Sequence, residues 1–160
     1  MIKINDYTFA SKGEIEKILN FTLGRLGVKD ASVAVYYSGT TLDRVSSGGV
    51  IYDALLHKTP IDHTYCLYLR KNSSVSLLSL LCHESVHIEQ HERGDLVYDF
   101  DTNKYRWKGV EYKPSFPYNE RPWEKEAFKT ESSLWKAYKD ANKQENPSKR
   151  CFKNLFNRKK

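Results

Sequence analysis

The chain is poor in the residues that staple or punctuate small proteins: it has three cysteines, five prolines and a single methionine in 160 residues. Cys66, Cys82 and Cys151 are an odd and scattered set. They argue against a disulfide framework and predict a reducing compartment. No apolar run approaches the roughly 20 residues that span a bilayer, so no membrane partner is expected. The opening residues, MIKINDYTFA, lack the apolar stretch of a secretory leader. These absences predict a cytoplasmic protein, or one of the host cytoplasm if a phage encodes it. Internal repeats are missing as well.

Hydrophobic residues make up 39% of the chain and aromatics 13%, which suits one compact core. A chain of this length buries about two-thirds of its unfolded surface, enough to fold without cross-links. The net charge is +6, and residues 143–160 alone carry that surplus, with seven Lys or Arg against one Glu. The expected organisation is therefore a single domain over residues 1–142 and a basic C-terminal tail over 143–160. The tail is either a solvated run or a contact for nucleic acid or another acidic partner. Phe152, Leu155 and Phe156 are interleaved with its charges; they could dock on the domain or stack on bases.

Periodicity predicts a helix over 12–27, with Ile15, Ile18, Leu19, Phe21, Leu23 and Leu26 in a stripe closed by Gly27. Residues 31–37 read as a strand with Val33, Val35 and Tyr37 on one face, and 38–48 are turn-rich. Residues 49–56 are ambiguous and could form another strand. Residues 64–70 alternate cleanly, placing Tyr65, Leu67 and Leu69 on one side. A helix is expected over 73–93, started by Ser73 or Ser74 and stopped by Gly94. Short strands or a hairpin follow over 96–113. Pro122 then opens a last helix to about 142. The predicted fold class is α+β, a small antiparallel or mixed sheet packed on helices.

Residues 83–87 read His-Glu-Ser-Val-His, an HExxH motif inside the second predicted helix. Histidines four apart project from one face a turn apart, so both imidazoles can reach one zinc ion at about 2.0–2.1 Å. Glu84, on the flank of that face, is placed to take a proton from a metal-activated water. Shuffled chains of this composition contain the motif in about 1% of cases, so its helical context matters. A helical projection puts Ser76, Ser79, His83, His87 and Gln90 on one polar stripe. Leu77, Leu81 and Ile88 lie on another face, which would pack on the sheet. The plain alternative is that the stripe is a solvent face.

Two histidines are half a site. A third His six residues after the second would fall at Arg93, and no histidine follows His91, so a downstream carboxylate is the natural third ligand. In the last helix Trp123, Ala127, Phe128, Leu134, Trp135 and Tyr138 mark the inward face. At about 100° per residue from Trp123 they fall between about 0° and 140°. Glu124 lies at about 100°, inside that sector, and Glu126 at about 300°, outside it. A carboxylate aimed inward is costly unless a charge or metal meets it, which selects Glu124. Glu131, at about 80°, is either a partner that orients a histidine or the ligand itself.

The blocks HESVHIEQ and RWKGVEYKPSFPYNERPWEKEA resemble small HExxH-containing metallopeptidases of phages and bacteria. Those proteins share an HExxHxxQ helix, a W-x-G-x-x-Y turn and a later Y-x-x-x-P-W-E-x-E-A helix. Here the three are His83 to Gln90, Trp107 to Tyr112 and Tyr118 to Ala127, within about residues 75–135. More loosely the chain is similar to the gluzincins, whose third zinc ligand is a Glu on a later helix. Where gluzincins carry E-x-x-A-D the first Glu binds zinc, which implies Glu124. Phe128 stands where those proteins have Asp, so the usual carboxylate beside the ligands is missing there.

The function expected from residues and resemblance together is zinc-dependent hydrolysis of a peptide or protein substrate. His83, His87 and Glu124 would hold Zn2+, and Glu84 would act as general base. Tyr112 and Tyr118 are candidate donors to the developing oxyanion. Gln90 either hydrogen-bonds a ligand or is solvated. The strand 64–70 is either an open edge to which an extended peptide adds, or an interior strand. Cys82 is expected to be a buried small hydrophobe, and His57, His63 and His91 are ordinary histidines. The competing functions are a catalytically silent zinc-binding interaction module and a nucleic-acid-associated protein that uses its tail.

Overall fold

The computed structural model describes residues 2–4, 12–37, 53–59, 61–70, 73–99 and 101–145. The expected turn-rich stretch 38–48, Cys151 and tail residues 146–160 lie outside the described residues. In chain order the elements are β1 (Ile2–Ile4), α1 (Lys12–Arg25), β2 (Ser32–Tyr37), β3 (Ala54–Lys58), β4 (Thr64–Leu69) and α2 (Leu77–Glu92). They are followed by β5 (Leu96–Asp99), β6 (Lys104–Trp107), β7 (Val110–Tyr112), a 3-10 turn (Tyr118–Glu120) and α3 (Pro122–Glu145). The fold is α+β. A four-stranded mixed sheet has the order β1-β2-β4-β3, with β1, β2 and β4 parallel and β3 antiparallel to β4. A three-stranded antiparallel sheet, β5-β6-β7, stands beside it.

Alternation in β2 and β4 drives Val33, Val35, Tyr65, Leu67 and Leu69 fully into the core. There they meet Ile15, Ile18 and Leu19 of α1 and Leu81, Val86 and Ile88 of α2. Cys82 is buried among them, and burial pushes its thiol up to about 12, so it behaves as an inert small hydrophobe. Between α1 and α2 the Thr22 and Ser85 hydroxyls share a buried hydrogen bond of 2.7 Å. A second cluster, Leu96, Trp107 and Trp123, fastens the small sheet to the start of α3.

The limits of α2 matter for the site. Its N-cap is Ser76, not Ser73 or Ser74: the Ser76 side chain accepts from Ser79 N at 3.2 Å, while Ser73 Oγ accepts from Val75 N in the preceding turn. Its C-terminus closes at Gly94, whose φ of 76° suits a residue without a Cβ. Asp95 N then donates back to Gln90 O at 3.0 Å. That reversal sends β5 back past the end of α2.

Strand β4, expected as an edge or an interior strand, is interior, with β2 and β3 on its two sides. Among the described residues the strand bounding the sheet on the side of α2 is β3. It occupies part of the ambiguous stretch 49–56, and its half-buried ALLHK pattern explains why alternation did not mark it.

The inward face of α3 is narrower than the projection predicts. Trp123, Ala127, Leu134 and Tyr138 are buried, but Phe128 is 50% and Trp135 40% exposed. The buried apolar residues lie between about 0° and 60°, buried Glu124 at about 100°, and the two exposed aromatics at about 120–140°, on the rim. Accordingly, Leu134→Ala should cost about 2–5 kcal/mol of stability in denaturant unfolding. Trp135→Ser should cost less than about 1 kcal/mol. The opposite ranking would mean that α3 is rotated.

Candidate metal centre

His83 and His87 sit one turn apart on α2, their rings 4.7 Å apart and nearly perpendicular. Neither faces solvent: His83 and His87 are each 8% exposed, and Gln90 is fully buried. The polar stripe of α2 is thus an internal face from His83 to Gln90, while Ser76 at its start is exposed and Ser79 half-buried. From the first turn of α3, Glu124 reaches in, 6% exposed. Its Oε2 lies 3.2 Å from His83 Nε2 and 3.3 Å from His87 Nε2, and the two Nε2 atoms are 3.1 Å apart.

Proton bookkeeping on the far side of each ring defines what these atoms are. Gln90 Nε2 donates to Trp123 O at 3.0 Å and to Glu126 Oε2 at 2.9 Å. Its Oε1 must therefore accept, and it accepts from His87 Nδ1 at 2.8 Å. A flipped amide would set oxygen against both a carbonyl and a carboxylate. His83 Nδ1 likewise faces Glu131 Oε2, at 3.3 Å, and a carboxylate can only accept. With both Nδ1 atoms protonated, neutral imidazoles present two Nε2 lone pairs to each other and to the Glu124 carboxylate. Three acceptors converge with no donor between them, an arrangement that calls for a cation. A tetrahedral ion with bonds of about 2.0–2.1 Å spaces its ligands about 3.3 Å apart. The observed separations fit that, and His83, His87 and Glu124 form a buried group that could hold a metal ion.

The same crowding shows in the proton affinities. Burial alone would lower His87, but the hydrogen bond and charge of Glu124 outweigh it and push the ring up to about 9. Burial would raise Glu124, yet its bonds to His83 and His87 hold it far below the usual carboxylate range. A proton therefore stands in for a cation when none is bound. Beside them Glu84, 6% exposed, is pushed upward by burial against the opposing pull of His87 and His83. Burial thus makes this carboxylate hold a proton more readily than an exposed one would.

Behind the ligands stands a charged brace. Glu126 also accepts from Arg93 NH2, and Arg93 binds Glu89 at 2.9 Å and Asp95 at 2.7 Å. Lys108, 3.6 Å from Asp95 and 3.7 Å from Glu126, ties in the small sheet. Glu126 therefore supports Gln90 and is not among the converging ligands.

In front of the ligands a cleft opens. A cavity of about 440 Å3 runs along β3 from Ala54 to Lys58, with Tyr105, Tyr118, Arg121 and Trp123 opposite. A second cavity, of about 230 Å3, adjoins it; Ala54, His83, Glu84 and Tyr118 line both. Of the two candidate tyrosines, Tyr118 overlooks the centre. Tyr112 lines neither cavity and packs edge-on against Phe116 and Trp123. His91, one turn beyond His87, also lines the larger cavity; burial lowers it to about 4, so it is neutral there. His63 instead meets Glu92 at 2.5 Å on the surface. The roles of β3, Arg121 and His91 in the cleft went unmarked in the sequence. Only the helical spacing from His87 to His91 carried a signal.

The chain matches no protein-family model, no curated protein and no solved structure.

Removing either orienting partner should weaken metal binding by about 10–100-fold, and Gln90→Leu and Glu131→Ala test this with Zn2+ as the probe ion in competition with a chromogenic chelator. Tyr112→Phe should leave the affinity unchanged. Because His87 in the metal-free site is protonated below about pH 9, a metal ion must displace that proton at neutral pH. Apparent affinity should fall about tenfold for each unit the pH drops below that value, as titrations at several pH values would record.

Proposed function

We propose that the chain is a zinc-dependent peptidase of gluzincin type, hydrolysing peptide bonds in an extended substrate. The observation that carries this reading is the convergence of the His83, His87 and Glu124 acceptors beside the buried Glu84 carboxylate, at the wall of an open cleft. The resemblance of the HESVHIEQ and YNERPWEKEA blocks to small phage and bacterial metallopeptidases points the same way. Two imidazoles and one carboxylate suit zinc, and leave room for a water in a fourth position. Bound zinc supplies a Lewis acid that lowers the pKa of a coordinated water and polarises the scissile carbonyl.

The chain's own groups then have distinct tasks. Glu84 accepts the proton of the attacking water and passes it to the leaving amine; its raised proton affinity favours the first of these transfers. Gln90 and Glu131 hold His87 and His83 with Nε2 aimed at the centre. The hydroxyl of Tyr118, a residue that lines both cavities, is the candidate donor to the carbonyl oxygen as it gains charge. Strand β3 offers backbone groups along the cleft to a peptide added as a further strand. Among the described residues no helix is long and apolar enough to cross a membrane.

Glu84→Gln is the decisive variant. It should keep about one zinc per chain by elemental analysis and lose at least about 100-fold in turnover of a peptide library read by mass spectrometry. Loss of zinc would make Glu84 a ligand and overturn the role given to it. Absence of turnover in the zinc-loaded wild type would favour a silent metal-binding module.

A further inference from the structure

The two arms of the cleft carry opposite charge, and the strand between them gives that difference a direction. Apart from Glu84 and Glu124 at the centre, the charged residues lining the larger cavity are Lys58 and Arg121. The hydrogen bonds of Arg121 go to the neutral carbonyls of Phe116 and Pro114, at 3.1 and 2.9 Å, and its guanidinium lies over the Tyr105, Tyr118 and Trp123 rings. That charge is held in place, and among the described residues no carboxylate pairs with it. Lys58 reaches the Ile61 carbonyl at 3.4 Å and lies over the Tyr65 ring. Glu92, which also feels the Lys58 charge, is engaged by the Tyr65 hydroxyl and His63. The smaller cavity is the reverse. Its charged lining residues beyond Glu84 are Asp53 and Glu131, set among Val75, Leu80 and Phe128.

Strand β3 runs from the acidic arm to the basic arm, from just after Asp53 to Lys58. Five residue steps of extended chain cover about 17 Å. A peptide pairing with β3 in the commoner antiparallel sense would run the other way, its N-terminal part beside Lys58 and Arg121 and its C-terminal part beside Asp53. Resting on the peptidase reading of this same centre, we propose that the cleft selects extended peptides with an acidic side chain N-terminal to the bond at the metal centre and a basic side chain about five residues further on. The occupant is a charge-polarised segment of polypeptide. Recognition combines backbone pairing along β3 with one ion pair at each end. Reversing the two charges places like against like at both ends, which penalises the wrong sequence as well as rewarding the right one.

The test reads binding separately from turnover. Full-length Glu84→Gln protein loaded with Zn2+ is titrated into four fluorescent peptides of identical apolar core. They carry Glu then Lys, Lys then Glu, two Glu, or two Lys, about five residues apart. By fluorescence anisotropy at low salt, the Glu-then-Lys peptide should bind about tenfold tighter than the reversed one. The difference should vanish in about 1 M salt, where the screening length is about 3 Å. Adding Lys58→Glu and Asp53→Lys together should invert the order, and the milder pair Lys58→Gln and Asp53→Asn should flatten it. Zinc content of each variant reports that the centre is intact. Equal affinities, a tighter reversed peptide, or an order unmoved by the charge changes would overturn the proposal. Wild-type protein that binds in the expected order yet cleaves none of the four would sink the peptidase reading and leave the polarity standing. Cleavage without any binding order would do the converse.

Discussion

The orientation of one buried amide underlies the centre. Gln90 spends both of its N–H groups, on the Trp123 carbonyl and the Glu126 carboxylate, so its oxygen is left for His87. That choice fixes the His87 tautomer and turns Nε2 into a bare lone pair beside two other acceptors. A fully buried amide with every bond satisfied cannot relax without leaving an unpaired polar group in the core. The electrostatic tension at the front of the site is therefore maintained from behind.

The surrounding architecture serves that constraint. Helix α2 is packed on the mixed sheet by Leu81, Val86 and Ile88, and so presents its histidines outward from a rigid base. The small sheet does the complementary work on α3: Trp107 and Leu96 grip Trp123, whose carbonyl is one of the acceptors that commit Gln90. Arg93 closes the arrangement by joining the end of α2 to Glu126 and Asp95. Each such contact is modest for a partly exposed ion pair, but the set shares its members, and shared geometry is what holds Gln90 in register.

Much of this centre could be read from residue spacing, because its parts are local. His83, Glu84 and His87 fall within one turn and a bit of helix, and Glu124 could be chosen over Glu126 by its angle on α3. What spacing could not give is the centre of the buried sector, since helix periodicity defines an arc but not what will cover it; hence Phe128 and Trp135 lie at the rim. Phe128 packs against His83, with ring centroids 4.7 Å apart, and the carboxylate absent at 128 is supplied by Glu131 three residues on. Strand β3 stayed ambiguous because a half-buried strand at a sheet boundary needs no alternation. Choosing between Tyr112 and Tyr118 depended on a short 3-10 turn that leaves little trace in sequence.

The converging ligands come from distant points of the chain: His83 and Glu124 are 41 positions apart, with a whole three-stranded sheet between them. During synthesis the histidine pair leaves the ribosome long before its carboxylate. A growing or prematurely terminated chain that stops short of α3 carries the HExxH helix without the acid that completes it and without the Trp123 carbonyl that aims it. Chain order thus acts as a timer, which leaves the group of converging ligands incomplete until α3 has been made and docked.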